Sequence, residues 1–323
     1  MKTCIIAEAG ANHDQKYEQA IKLIDVAKDS GADCVKFQTY SSETLYCKNT
    51  PDFAGYKNIN QLIKDIELPR EWQGDLKKYC DSKDIEFMST PFDEKAVEEL
   101  CNLGVKRIKI AGFESSDFRF VDMVASSKLP LIISIGIGFP MEKLYIIKEI
   151  TDRYGNDLTL LHCNNAYPTP YEDVNLNSML YLKKFFKSVG LSDHTTSTFV
   201  PSLAVAMGAS TIEKHFTLDK KLKGPDHAFA LEPNELNTMV EMIRKTELCL
   251  KTKKGKLTKS EKLFDNARRS IVANKEIKEG EEFTTDNITT KRPYIRNKSI
   301  LAENFFSVIG KRATQNYLED DII

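Results

Sequence analysis

Eight short runs of β-branched and other apolar residues, each followed by a stretch with helical spacing, constrain the fold of this 323-residue chain more than any other feature. The runs are Cys4 to Gly10, Cys34 to Gln38, Glu86 to Pro91, Arg107 to Gly112, Leu131 to Gly136, Leu158 to Cys163, Ser188 to His194 and Thr211 to Phe216. The stretches between them, such as Gln15 to Ser30, Asp93 to Leu103, Met141 to Tyr154 and Phe199 to Met207, repeat apolar residues at the period of a helix, so the chain alternates β then α. Eight such units in roughly 250 residues have the size and order of a closed parallel barrel. An open doubly wound sheet would want a Gly-x-Gly-x-x-Gly turn after an early strand, and none follows Cys4 to Gly10. The expected fold is therefore α/β, a (β/α)8 TIM barrel.

After a helix expected from Pro233 to Leu250, the composition changes to the polar, basic Lys251-Thr252-Lys253-Lys254-Gly255-Lys256-Leu257-Thr258-Lys259. We read a barrel over residues 1–250, a linker over 251–265 and a small module of short strands and turns over 266–323. A module of that size is marginal alone and gains from packing on something else. The formal net charge of -1 gives no basic field to recruit nucleic acid or an anionic membrane. The apolar runs are far shorter than a membrane span, and the N-terminus enters a strand pattern without the order of a signal peptide. Seven scattered cysteines with no Cys-x-x-Cys pair argue against a disulfide framework or a thiolate zinc site. The expectation is a cytoplasmic protein whose partner is a small molecule.

Barrel active sites form at the C-terminal ends of the strands. Strand by strand, those ends carry Glu8, Lys36 with Gln38, Thr90, Lys109, Ser134, Asn165, His194 and His215. Any one could be a satisfied structural group, but so many polar groups converging on one mouth would each cost desolvation without a ligand. Lys36 and Lys109 can neutralise phosphate or carboxylate, with Thr90, Ser134 and Ser192 donating hydroxyls, which suits a doubly anionic substrate. His194 and His215 end adjacent strands and could share one metal or form a hydrogen-bonded core pair. A mixed nitrogen and oxygen site of that kind suits Mn2+ or Mg2+ better than structural zinc. His162 reads as a packed residue, and His13 and His227 as exposed loop histidines. Glu8, Glu114 and Asp226 are the acids that could bind hydroxyls or move protons.

These residues together resemble the sialic acid synthase family. The resemblance is carried by Ile6-Ala7-Glu8-Ala9-Gly10-Ala11-Asn12-His13, Val35-Lys36-Phe37-Gln38, Ser89-Thr90-Pro91-Phe92-Asp93, Leu161-His162-Cys163 with Tyr167-Pro168-Thr169-Pro170, Ser192-Asp193-His194-Thr195, Glu213-Lys214-His215-Phe216 and Gly224-Pro225-Asp226. The C-terminal Ser270-Ile271-Val272-Ala273 and Lys291-Arg292-Pro293 resemble the antifreeze-like (SAF) module of these synthases. The resemblance implies condensation of phosphoenolpyruvate with an N-acylamino-hexose aldehyde, giving a nine-carbon sugar acid and phosphate. It implies that His194 and His215 hold a divalent metal, Mn2+ ahead of Mg2+ or Co2+. Lys36, Thr90, Lys109, Ser134, Asn165 and Ser192 would hold phosphoenolpyruvate, while Glu8, Gln38, Tyr167 and Asp226 face the sugar and Glu114 stands close to the reacting centre. Arg292 would reach the sugar across a domain-swapped homodimer.

The sequence departs from the family pattern where Gly112 stands in place of a usual serine and where Ser134-Ile135-Gly136-Ile137 replaces Ser-Thr-Gly-Met. Competing readings are a synthase with a phosphorylated sugar acceptor and a catalytically silent sugar-binding barrel.

Overall fold

The computed structural model describes residues 2–52, 55–251, 255 and 257–323, in two compact units, Met1–Lys251 and Thr252–Ile323. The first unit contains eight strands: β1 (Cys4–Gly10), β2 (Cys34–Thr39), β3 (Glu86–Pro91), β4 (Ile108–Ile110), β5 (Leu131–Ile135), β6 (Leu158–Cys163), β7 (Ser188–Asp193) and β8 (Thr211–His215). Their hydrogen-bonded order is β3-β2-β1-β8-β7-β6-β5-β4, with every ladder parallel, and β3 and β4 lie against each other to close the barrel. β4 is shorter than the expected run from Arg107 to Gly112, because the chain leaves it in a turn in which the Glu114 N–H donates to the Ala111 carbonyl.

The connections are helical: α1 (Tyr17–Asp29), α2 (Ile59–Ile66), α3 (Gln73–Ser82), α4 (Glu94–Asn102), α5 (Phe118–Ala125), α6 (Leu144–Tyr154), α7 (Asn177–Leu182) and α8 (Val200–Ala206), with α9 (Pro233–Cys249) after β8. Local chemistry starts several of them. Asp93 accepts from the Ala96 N–H to cap α4, and Asp117 accepts from the Phe120 N–H to cap α5. Pro233 at the start of α9 is bracketed by a reciprocal Glu232 and Glu235 capping box.

Strand alternation sorts the barrel residues into two sets. Ile5, Ala7, Val35 and Phe37 face outward into a large apolar layer with Leu23 and Ile24 of α1. Ile6, Cys34, Met88, Ile132 and Leu161 face inward and fill the barrel floor. Two residues further along each strand the inward positions become polar: Glu8, Lys36, Thr90 and Ser134 stand above Ile6, Cys34, Met88 and Ile132. The floor is thus an apolar plug beneath a polar layer at the C-terminal ends of the strands.

In the second unit β9 (Ser270–Ala273) and β10 (Ile288–Lys291) form an antiparallel pair, and a short α10 (Phe305–Val308) follows. Ile271, Ala273, Ile277, Phe283, Ile288, Val308, Ala313 and Tyr317 make its own small core. Of the linker expected over 251–265, residues 252–254 and 256 lie outside the described residues, and a 3-10 helix over Glu261–Ala267 occupies its end. Among the described residues no helix is long and apolar enough to cross a membrane.

Candidate active site

The polar layer encloses a chamber at the barrel mouth. Its wall includes Glu8, Lys36, Gln38, Thr90, Lys109, Ser134, Asn165, Tyr167, Ser192, His194 and His215, with Gly112, Cys163 and Glu213. The barrel therefore brings together the nominated residues of all eight strands.

Four ionisable groups form its centre. Lys36 Nζ lies 2.7 Å from Glu8 Oε2 and donates to Thr90 Oγ1 at 2.7 Å. Glu213 reaches both lysines, with Oε2 3.8 Å from Lys36 Nζ and Oε1 3.3 Å from Lys109 Nζ, and Oε1 also accepts from Ser192 Oγ at 2.9 Å. Parallel register sets this up, since Glu8 pairs with both Lys36 and His215, and Ser192 with Glu213. The two carboxylates differ in state. The two ammonium groups and the Ser192 hydroxyl overcome burial and hold Glu213 down at about 2. Burial, reinforced by the charge of Glu213, outweighs Lys36 and pushes Glu8 up to about 8.

Glu213 was not among the residues expected at the site. The signal was present: Thr211, Glu213 and His215 alternate along one strand, so a strand that places His215 inside must place Glu213 there too.

Several buried polar atoms here have no hydrogen-bond partner: Glu8 Oε1, Ser134 Oγ, Glu213 Oε2 and His215 Nδ1. Buried polar atoms are rarely left so, and their concentration in one chamber marks a place where a ligand completes them. Asn165 is fixed differently. Its Oδ1 accepts from the Ile137 N–H at 2.8 Å, and a Cβ on Gly136 would stand 1.9 Å from that oxygen. A Cβ on Gly112 would come within 2.9 Å of it, so the Asn165 amide takes part of the space that a side chain at position 112 would need.

His194 and His215 have ring centroids 5.4 Å apart. The His194 Nδ1–H donates to the Asn164 carbonyl at 2.6 Å, which leaves Nε2 as a free lone pair. Burial holds His194 down at about 4, and burial with the neighbouring His194 keeps His215 well below the usual range. Two neutral imidazoles, one with a free Nε2 and one with a partnerless Nδ1, fit a divalent ion as donors. No third His, Cys, Asp or Glu is grouped with them among the described residues, which leaves the other positions to water and substrate oxygen.

Two of the nominated acids stand beside the chamber and not on its wall. Glu114 follows the turn after β4, where burial pushes its carboxyl up to about 7 and leaves Oε2 without a partner. Asp226 lies behind Gly10, with Oδ2 3.7 Å from His215 Nδ1. A Cβ at position 10 would fall 2.8 Å from that oxygen, and the backbone there has a positive φ of 51°, so glycine is required twice over. Arg292 is exposed on the second unit. The expectation of exposed loop histidines fails for His13 and His227, each 1% exposed. His227 is held between Thr217 Oγ1 at 2.6 Å and Asp14 Oδ1 at 2.8 Å, and His13 Nδ1 accepts from the Gln15 N–H.

The NeuB family model matches residues 23–255 of this sequence. The chain belongs to the NeuB family. A SAF domain matches residues 268–323, so the small second unit carries that fold. Among relatives of this NeuB chain, an N,N'-diacetyllegionaminic acid synthase of Legionella pneumophila is 40% identical, the match covering 97% of this chain and 91% of the relative. A pseudaminic acid synthase of Campylobacter jejuni is 36% identical over 98% of this chain and 93% of its own. A crystal structure of the N-acetylneuraminic acid synthetase of Leptospira borgpetersenii, in complex with citrate, superposes with a TM-score of 0.75 at 33% identity, covering 82% of this chain and 90% of the other.

Proposed function

We propose that this chain condenses phosphoenolpyruvate with the open-chain aldehyde of an N-acylamino hexose, releasing phosphate and forming a nine-carbon 2-keto-3-deoxy sugar acid in the cytoplasm. The observation that carries the reading is the set of buried atoms left without a hydrogen bond, Ser134 Oγ, Glu213 Oε2 and His215 Nδ1, in the chamber that also holds the ammonium groups of Lys36 and Lys109. Relatives named as legionaminic and pseudaminic acid synthases support an acceptor with two acylamino groups.

Lys36 and Lys109 neutralise the phosphate and carboxylate of phosphoenolpyruvate, and Thr90, Ser134, Asn165 and Ser192 add hydrogen bonds that fix its plane. Gln38 and Tyr167 line the side left for the sugar, with Asp226 behind Gly10. A divalent ion held by His194 and His215, Mn2+ ahead of Mg2+ or Co2+, supplies Lewis-acid polarisation of the aldehyde oxygen when bound. The C2=C3 π pair of phosphoenolpyruvate forms the bond from C3 to the aldehyde carbon, whose oxygen takes a proton from solvent water, and C2 becomes electron-poor. Water adds at C2 and gives a proton to the Glu114 carboxylate. The C2 hydroxyl of the adduct then gives its proton to the departing phosphate and becomes the 2-keto group as the bond from C2 to the bridging phosphate oxygen breaks. Glu114 suits this step because it titrates at about 7 and has a buried oxygen free to take the proton. Holding both reactants together is the protein's largest contribution, since aligned pairs reach effective molarities of about 10^5 M or more. We further propose that the chain works as a domain-swapped homodimer in which the exposed Arg292 of one copy serves the sugar bound in the other.

Phosphate release from phosphoenolpyruvate, measured with a panel of acylamino hexoses, with Mn2+ and with EDTA, tests the reading. Metal-dependent release with one sugar is expected. Release only with a 6-phosphorylated sugar would transfer the proposal to a phosphorylated acceptor, and no release from a folded protein would overturn it.

A further inference from the structure

Strand alternation that sends Glu213 and His215 into the chamber sends Lys214 out of its back, and there it is 1% exposed. A buried ammonium has to satisfy three N–H donors or be destabilising. Lys214 finds three acceptors in one short turn. Nζ donates to Asp193 Oδ2 at 2.6 Å, to the Thr195 carbonyl, and to Thr195 Oγ1 at 3.3 Å. Asp193 in turn accepts from both the Thr195 N–H at 3.1 Å and the Thr195 hydroxyl at 3.0 Å. Thr195 Oγ1 then accepts from the Ser197 N–H at 3.2 Å, which ties the turn to the segment leading into α8.

The residue enclosed by this closed ring of bonds is His194. Asp193 and Thr195 are its two chain neighbours, and Lys214 draws both toward β8, the strand that ends in His215. His194 is also held directly. Its ring is fixed by the Asn164 carbonyl and its own carbonyl accepts from the Thr169 N–H. The spacing between the two imidazoles therefore depends on a cation that touches neither.

We infer that Lys214 is a positioning residue for the His194 and His215 pair, clamping Asp193 and Thr195 so that both imidazoles meet one divalent ion. The inference rests on the proposal that these two histidines hold that ion. Groups that orient metal-ligating histidines typically contribute about 10- to 100-fold in metal affinity.

The test is the Mn2+ dissociation constant of the full chain, measured by electron paramagnetic resonance without substrate, alongside the thermal midpoint. Lys214→Met keeps the length of the side chain and removes the charge. Thr195→Val, which removes one acceptor and the Asp193 contact, takes its place if Lys214→Met does not fold. Arg107→Met is the control, because it breaks a part-buried pair with Glu86 at the other end of the barrel. Weakening of Mn2+ binding by about 10- to 100-fold in the clamp variant but not in Arg107→Met is expected. Unchanged Mn2+ binding in the folded clamp variant, or equal weakening in both, would overturn the inference. Failure of the unmodified protein to bind Mn2+ would instead overturn the metal assignment on which it rests.

Discussion

The chamber places two cations and an internal anion within a few ångströms, so each lysine has a partner before substrate arrives. Lys109 is balanced by Glu213 alone of these charges, whereas Lys36 has Glu8 as well. Lys109→Met is therefore expected to raise the phosphoenolpyruvate KM about 10- to 100-fold, the range of one charge-assisted hydrogen bond. Steady-state phosphate release reads this, and an unchanged KM would remove Lys109 from the substrate site. Glu114 predicts a pH effect of definite sign. Its carboxylate must be ionised to take a proton, so kcat/KM should fall below about pH 7, and Glu114→Gln should abolish that limb along with most of the rate. Stability runs the other way. The folded carboxyl sits at about 7 against its ordinary 4.5, so the unfolded chain holds fewer protons in between. The Glu114 contribution is full below pH 4.5 and lost as pH rises through 7, and a thermal midpoint that drifts down over that window should drift less in Glu114→Gln.

At the scale of the strand, neighbours approach closely enough that one added methyl decides the packing. A Cβ on Gly190 in β7 would stand 2.1 Å from the Thr211 carbonyl of β8 and 2.8 Å from Leu161 of β6. Backbone cannot yield as a flexible side chain can, so Gly190→Ala should cost about 1–3 kcal/mol or more, seen as a lower urea midpoint. An unchanged midpoint would mean that β7 and β8 can separate without cost. The elements themselves were legible because the barrel runs and the amphipathic stretches carry two distinct periods, 2 and 3.6. What could not be read was contact across elements. The polar ends of the strands announced a site, but Glu213 hid behind the more conspicuous His215, and the burial of His227 depends on Asp14, far away in sequence. Periodicity speaks of which face a residue takes, and says nothing of which distant loop covers a histidine. Nor could it show that the missing Cβ of Gly10 leaves room for Asp226 Oδ2 beside His215.

For the whole molecule, the proposed exchange of second units between copies has a direct consequence for mixed assemblies. His215→Ala and Arg292→Ala chains, each deficient alone, should restore about a quarter of the wild-type sites when randomly paired, because each mixed dimer then holds one intact site. Turnover measured at low sugar concentration checks this, and a mixture no more active than the average of its parts would place Arg292 outside the partner's site. The hydrophobic cluster that wraps the barrel and the one that fills the small C-terminal unit share no residue. Two separate interiors of very unequal size are expected to give a scanning calorimeter two cooperative events of very unequal enthalpy. A single melting temperature for this protein should therefore describe the barrel, with the loosening of the smaller unit expected as a shoulder beneath that peak.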